Sequence, residues 1–113
     1  MSNLLRITCV LAYWCPHCDP ITIDILKKIS DDLNVPLRLL DIDDVEQEKL
    51  SDLLVKQYGD WTPDYLIPQT FFEYKDMIKH VFTGSPQGLD FTKQKWQDFL
   101  KSDFYRDLLS QSK

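Results

Sequence analysis

Apolar and polar positions alternate along this chain in blocks that predict a mixed α/β order. Arg6 to Tyr13 (RITCVLAY) is apolar and rich in β-formers, which reads as a buried strand. From Pro20 to Leu33, apolar residues recur at Ile21, Ile25, Ile29 and Leu33, the spacing of one helix face. Asn34 and Pro36 end that helix, and Leu37–Ile42 follows as a second buried strand. Asp43 or Asp44 caps the next helix, with Glu46 favourable in its first turn. Val45, Leu50, Leu53, Leu54 and Tyr58 supply its apolar face, and Gly59 is placed to end it. Turn residues and two large aromatics, Trp61 and Tyr65, fill the segment from Gly59 to Tyr65. Gln69–Tyr74 and Ile78–Thr83 are spaced to pair as a hairpin across Lys75-Asp76-Met77. Gly84 to Gly88 breaks the chain, and a final helix from about Phe91 to Leu109 puts Trp96, Phe99, Leu100 and Phe104 on one stripe. The sum is β-α-β-α-β-β-α, with the first two strands parallel through a helical crossover and the last two antiparallel.

Composition narrows the class without naming a function. A chain of 113 residues is expected to form one domain spanning residues 1–113. Its 43% hydrophobic and 27% charged residues are those of an ordinary soluble globule. Thirteen basic against eighteen acidic residues give a net charge of −5, which argues against nucleic acid or an anionic membrane surface as partner. No apolar run approaches the ~20 residues a bilayer span needs. The short N-terminal apolar stretch lacks a small-residue cleavage site, so the expected compartment is the cytosol and the expected state a monomer.

The chemistry concentrates in Trp14-Cys15-Pro16-His17-Cys18. Three cysteines do not make a disulfide framework, and a CxxC pair opening a βαβ pattern reads as redox-active. Two cysteines at i and i+3 close a disulfide only where the backbone turns between them, as at a helix start. Cys15 would stand near that helix N-terminus, where the dipole and unpaired N–H groups favour an anionic sulfur. Pro16 and His17 are the tuning pair, since His17 can supply positive charge or donate to the sulfur. A stabler thiolate leaves more readily and makes the disulfide more oxidising. Cys18, one turn deeper, is the expected resolving thiol. Zinc would need two further ligands; Cys9 lies mid-strand and His17 inside the loop, so a tetrahedral set is hard to assemble. The acids Asp41, Asp43 and Asp44 offer a divalent-cation alternative, but helix capping explains them without one.

The tract Tyr13–Cys18, the strand before it and the later Ile67-Pro68-Gln69-Thr70-Phe71 resemble the thioredoxin superfamily. Cys-Pro-His-Cys is the variant associated with DsbA-type oxidants, and Pro-Gln-X-Phe is closer to glutaredoxins. The resemblance spans roughly residues 5 to 110. It implies a thioredoxin-like fold with a minimal glutaredoxin-type core and a four-stranded mixed sheet. It implies Cys15 as nucleophile, Cys18 as resolving thiol, and no dissociable cofactor beyond the Cys15–Cys18 disulfide itself. Pro68 would be the cis-proline facing that disulfide, leaving the backbone of Ile67 to bind an extended substrate chain, with Trp14 beside the sulfurs. Cys9 stands six residues before Cys15, where thioredoxins carry a buried Asp and DsbA-type proteins a Glu; a cysteine there reads as a core residue. His80, on a strand next to Lys79, reads as a surface residue.

Two departures bear on the substrate. Glutaredoxins usually show Gly-Gly and then an acidic or hydroxyl residue after the last strand, where this chain has Gly84-Ser85-Pro86. They also carry a basic residue shortly before the CxxC, where Leu11 to Trp14 has none. Protein disulfides are therefore the expected substrate, with an upstream reductase or thiol pool as partner. A glutathione-dependent glutaredoxin-like reductase is the first alternative, and a non-catalytic metal- or partner-binding module on the same fold the second.

Overall fold

The computed structural model describes residues 3–111. Among them, four strands and four α-helices build an α/β structure: β1 (Leu4–Leu11), α1 (Ile23–Leu33), β2 (Leu37–Asp41), α2 (Val45–Tyr58), β3 (Gln69–Tyr74), β4 (Ile78–Thr83), α3 (Leu89–Leu100) and α4 (Asp103–Gln111). The sheet is mixed, in the order β2-β1-β3-β4. β1 and β2 run parallel, while β3 pairs antiparallel with both β1 and β4.

Period-2 alternation divides the strands between two cores. Ile7, Cys9 and Leu11 of β1 and Phe72 of β3 face the cluster built with Leu26, Ile29 and Leu33 of α1, Trp96 of α3, and Tyr105 and Leu108 of α4. Val10, Leu40 and Phe71 point the other way, onto Leu54 and Val55 of α2. α2 covers only part of its face. Beyond it the sheet carries a polar network, in which Glu73 accepts from Arg6 Nε and Nη2 at 2.9 Å each, from Arg38 Nη2 at 3.3 Å, and from the Thr8 hydroxyl. Desolvation alone would raise the Glu73 carboxyl, but these hydrogen bonds and the two guanidinium charges outweigh it and hold the carboxyl below its ordinary value. Among the described residues no helix is long and apolar enough to cross a membrane.

Several expectations change in three dimensions. The helix expected from Pro20 begins as a regular α-helix only at Ile23; a wide turn, His17–Thr22, precedes it. Pro20 is the cause, because the residue before a proline is pushed out of the α region, and Asp19 sits at φ −123°, ψ 117°. The apolar face expected on α2 is only half right. Val45, Leu53 and Tyr58 are exposed, whereas Ser51, Leu54 and Val55 are buried.

The single C-terminal helix is two. Ser102 interrupts it, its hydroxyl accepting from the Tyr105 N–H at 3.2 Å as an N-cap does. The bend brings Phe99 and Phe104 onto the same Phe72 ring, at 6.0 and 5.9 Å. His80 is half-buried rather than superficial: it packs 5.5 Å from the Phe71 ring, and its Nε2 lies 2.7 Å from the Thr83 hydroxyl. Thr83 donates its own proton to Asp60 at 2.7 Å, so Nε2 must be the donor to Thr83.

The acids near β2 have structural partners. Asp44 is the cap of α2, accepting from Glu46 N–H at 3.1 Å and Gln47 N–H at 3.0 Å, while Asp41 accepts from Asp43 N–H at 2.9 Å. Gly59 closes α2 in extended rather than left-handed geometry. Its need for glycine is close packing, since a Cβ there would meet Gln69 Oε1 and, at 2.8 Å, Phe71 Cζ.

Candidate thiol site

β1 ends at Leu11 and the chain turns at once, Cys15 N–H donating to Ala12 O at 3.1 Å. The next turn folds over it, with Cys18 and Asp19 N–H groups both donating to Cys15 O at 3.0 Å. These bonds place Cys15 and Cys18 near each other, and the Cys18 thiol is held by the Ala12 backbone and the Cys15 side chain. Both cysteines are buried, Cys15 keeping 6% of its surface and Cys18 none. Burial pushes the Cys18 thiol well above its ordinary value, so it is protonated at neutral pH. Tyr13 and Trp14, the two residues before Cys15, are exposed, Trp14 at 68%. Trp14 is oriented by a hydrogen bond from its Nε1 to Asp43 Oδ2 at 2.8 Å.

His17 does not spend its Nδ1 on either sulfur. That atom lies 2.6 Å from the hydroxyl of Thr92 on α3. Thr92 is buried and also accepts the Ser85 N–H at 2.9 Å. Thr22 ties the same turn down: its hydroxyl donates to His17 O at 2.8 Å and accepts the Trp96 indole N–H at 2.9 Å. Two threonines therefore set the turn that carries Pro16 and His17 against α3.

Cys9 lies in the floor of the site, fully buried in the same apolar cluster as Cys15 and Cys18. Burial pushes its thiol up to about 12, against a smaller opposing pull from the Thr70 hydroxyl. At neutral pH it is a neutral, inert sulfur, as expected of a core cysteine.

Ile67 and Pro68 reach the site through strand register. β1 and β3 pair Val10 with Gln69, so continuing the ladder sets Pro68 level with Leu11 and Ile67 level with Ala12, the residue whose backbone holds both cysteines. The Ile67–Pro68 peptide is cis, and so is Asp19–Pro20. Pro68 is buried, and its carbonyl accepts the Gly84 N–H at 2.9 Å. Among the described residues, neither the N–H nor the C=O of Ile67 makes a hydrogen bond. Gly84 makes this approach possible, because a Cβ there would stand 2.6 Å from Pro68 Cδ and 2.9 Å from Ile67 O.

Thr22, Ala12, Gly84 and Thr92 were not foreseen as site residues, and Asp43 was foreseen as a helix cap or cation ligand, not as the partner of Trp14. Their roles arise from contacts between elements, for which neither periodicity nor spacing carries a signal. A cavity of about 820 Å³ lies at the opposite end of the sheet, among Arg6, Tyr58, Glu73 and the β3–β4 turn; no cysteine lines it. No family model, no curated protein and no solved structure matches the chain.

Proposed function

We propose that this chain is a thioredoxin-fold thiol–disulfide oxidoreductase that acts on protein disulfides. The observation that carries the reading is two neighbouring thiols of unequal burial in the turn after β1: Cys15, buried but keeping 6% of its surface, and Cys18 with none. In the reducing direction, the Cys15 thiolate attacks one sulfur of a client disulfide and the other client sulfur leaves as a thiolate, which takes up a proton. Cys18 then gives up its proton and attacks Cys15 Sγ, and the second client thiol departs. Two electrons and two protons have passed to the client, and Cys15–Cys18 is left as a disulfide. An upstream reductase or thiol pool returns it to the dithiol. Trp14 and the free backbone of Ile67 receive the client chain on either side of Cys15. The protein is expected to work as a cytoplasmic monomer.

Trapping tests the roles. Cys18→Ser keeps the nucleophile and lacks the resolving thiol, so after incubation with a cell lysate it should accumulate mixed disulfides that dithiothreitol releases. Cys15→Ser should trap nothing and fail to reduce insulin, while Cys9→Ala should retain reduction. If Cys18→Ser traps no protein, or if the adducts run through Cys9, the assignment is wrong. Turnover that requires glutathione would instead select the glutaredoxin-like alternative, and bound metal without turnover the binding module.

A further inference from the structure

The hydroxyl of Thr92 touches both halves of the thiol site. It lies on α3, fully buried, 2.6 Å from Nδ1 of His17 in the turn that carries the cysteines. It also accepts the Ser85 N–H at 2.9 Å, in the loop whose Gly84 N–H donates to Pro68 O at 2.9 Å. A hydroxyl has one proton to give and two lone pairs to offer, so its partners constrain where the proton points.

The Ser85 N–H can only donate, and it occupies one lone pair of the Thr92 oxygen. The Thr92 proton then needs an acceptor, because a buried polar hydrogen left unpaired is costly. A helical threonine often gives it to the carbonyl four residues back. Here that carbonyl, Gly88 O, accepts the Thr92 backbone N–H at 3.2 Å and no hydroxyl. Among the described residues, His17 Nδ1 is the acceptor that remains. The Thr92 O–H therefore donates to a bare Nδ1, and the proton of the neutral imidazole sits on Nε2. Nε2 makes no hydrogen bond among the described residues, and the ring is half-buried. With Nε2 protonated and the Nδ1 lone pair occupied, the neutral ring has no free lone pair to take a proton from a thiol. What it can offer is an N–H.

We infer that Thr92 is a positioning residue of this site: its hydroxyl fixes His17 as the Nε2–H tautomer, so that His17 serves thiol exchange as a hydrogen-bond donor and not as a base. That the site exchanges thiols rests on the function proposed above; the tautomer does not.

The tautomer is read first, without turnover. Two-bond ¹H–¹⁵N correlation spectra of the ¹⁵N-labelled, dithiothreitol-reduced protein, at a pH where the ring is neutral, distinguish a bare nitrogen from a protonated one. His17 Nδ1 should be bare and Nε2 protonated. Thr92→Ser keeps the hydroxyl and should keep this pattern, whereas Thr92→Val should move it toward the average of an unconstrained imidazole. A proton on Nδ1 in the unsubstituted protein, or an unchanged pattern in Thr92→Val, overturns the proposal. Should Thr92→Val misfold, the unsubstituted protein and Thr92→Ser still decide.

Turnover then separates positioning from packing. Thr92→Val should lower kcat/KM for insulin reduction roughly fivefold where the variant is fully folded, as the loss of one ordinary hydrogen bond predicts. Thr92→Ser should stay within about twofold of the unsubstituted protein. In a His17→Ala background no imidazole is left to orient, so Thr92→Val should cost nothing further. An equal loss in both backgrounds would mean that the hydroxyl acts through Ser85 and the fold, and overturns the positioning role. The stated tautomer without insulin reduction would keep the His17 assignment and remove the oxidoreductase reading. Insulin reduction with the proton on Nδ1 would do the reverse.

Discussion

Replacing Gly84 by alanine tests whether the placement of Ile67–Pro68 matters to turnover. The added Cβ would lie 2.6 Å from Pro68 Cδ and 2.9 Å from Ile67 O, where ordinary contacts begin near 3.4 Å. Both neighbours belong to backbone or to a proline ring, so neither can rotate away. Overpacking of this kind costs ~1–3 kcal/mol. Taking about 2 kcal/mol, and roughly 4 °C per kcal/mol for a domain of this size, Tm should fall by about 8 °C. The relief must displace the segment that lies level with Ala12, and misplacement by about 1 Å can cost up to ~100-fold in rate. We expect kcat/KM for insulin reduction to fall by at least about tenfold at a temperature where the variant is fully folded.

Glu73→Gln supplies the comparison. It leaves the Arg6 and Arg38 guanidinium groups without their carboxylate at a site where Glu73 is 13% exposed and the arginines 39% and 27%. That lies between an exposed pair, worth ~0–1 kcal/mol, and a fully buried one, ~3–5 kcal/mol when broken, so about 2 kcal/mol is expected here as well. Glu73 is five residues along β3 from Pro68, about 16 Å away, and its variant should keep kcat/KM within about twofold. Wild-type Tm and kcat/KM in Gly84→Ala, or an equal loss of turnover in Glu73→Gln, would refute the reasoning.

Thr92→Val should remove the acceptor of the buried Ser85 N–H and the partner of His17 Nδ1 together, costing ~1–3 kcal/mol. Thermal unfolding should show the loss, and imidazole ¹⁵N shifts should show Nδ1 released; unchanged shifts would contradict the contact. Acidification should destabilise the protein in two stages. Burial lowers His80 from its ordinary 6.5, so the unfolded chain takes up that proton first and stability declines as pH drops below about 6.5. Glu73 is held below its ordinary 4.5, so its contribution persists above that value and is lost as pH falls through the lower folded one. Denaturant unfolding against pH should lose the first stage in His80→Gln and the second in Glu73→Gln.

Strands and helices with one strong period were legible in the chain. Gln69–Tyr74 and Ile78–Thr83 have the predicted bounds, and Asp44 caps α2, because alternation and capping are local properties. Local signals misled where a contact between elements competes with the pattern. Val45 and Leu53 are apolar like Leu54, but α2 meets the sheet through Ser51, Leu54 and Val55. Phe99 and Phe104 share a helical stripe in sequence, yet the chain breaks at Ser102 so that both can reach Phe72.

The site divides in the same way. The residue types at 14–18 and 67–68 single out these segments as the expected thiol site without any fold, since spacing within five residues constrains where two sulfurs can stand. Packing alone decides that Cys15 keeps a little of its surface and Cys18 none, that His17 turns Nδ1 to Thr92, and that Gly84 lets Pro68 approach. Each of those outcomes joins residues far apart in the chain, and a linear order of side chains holds no distance between them until strand register and helix docking set one.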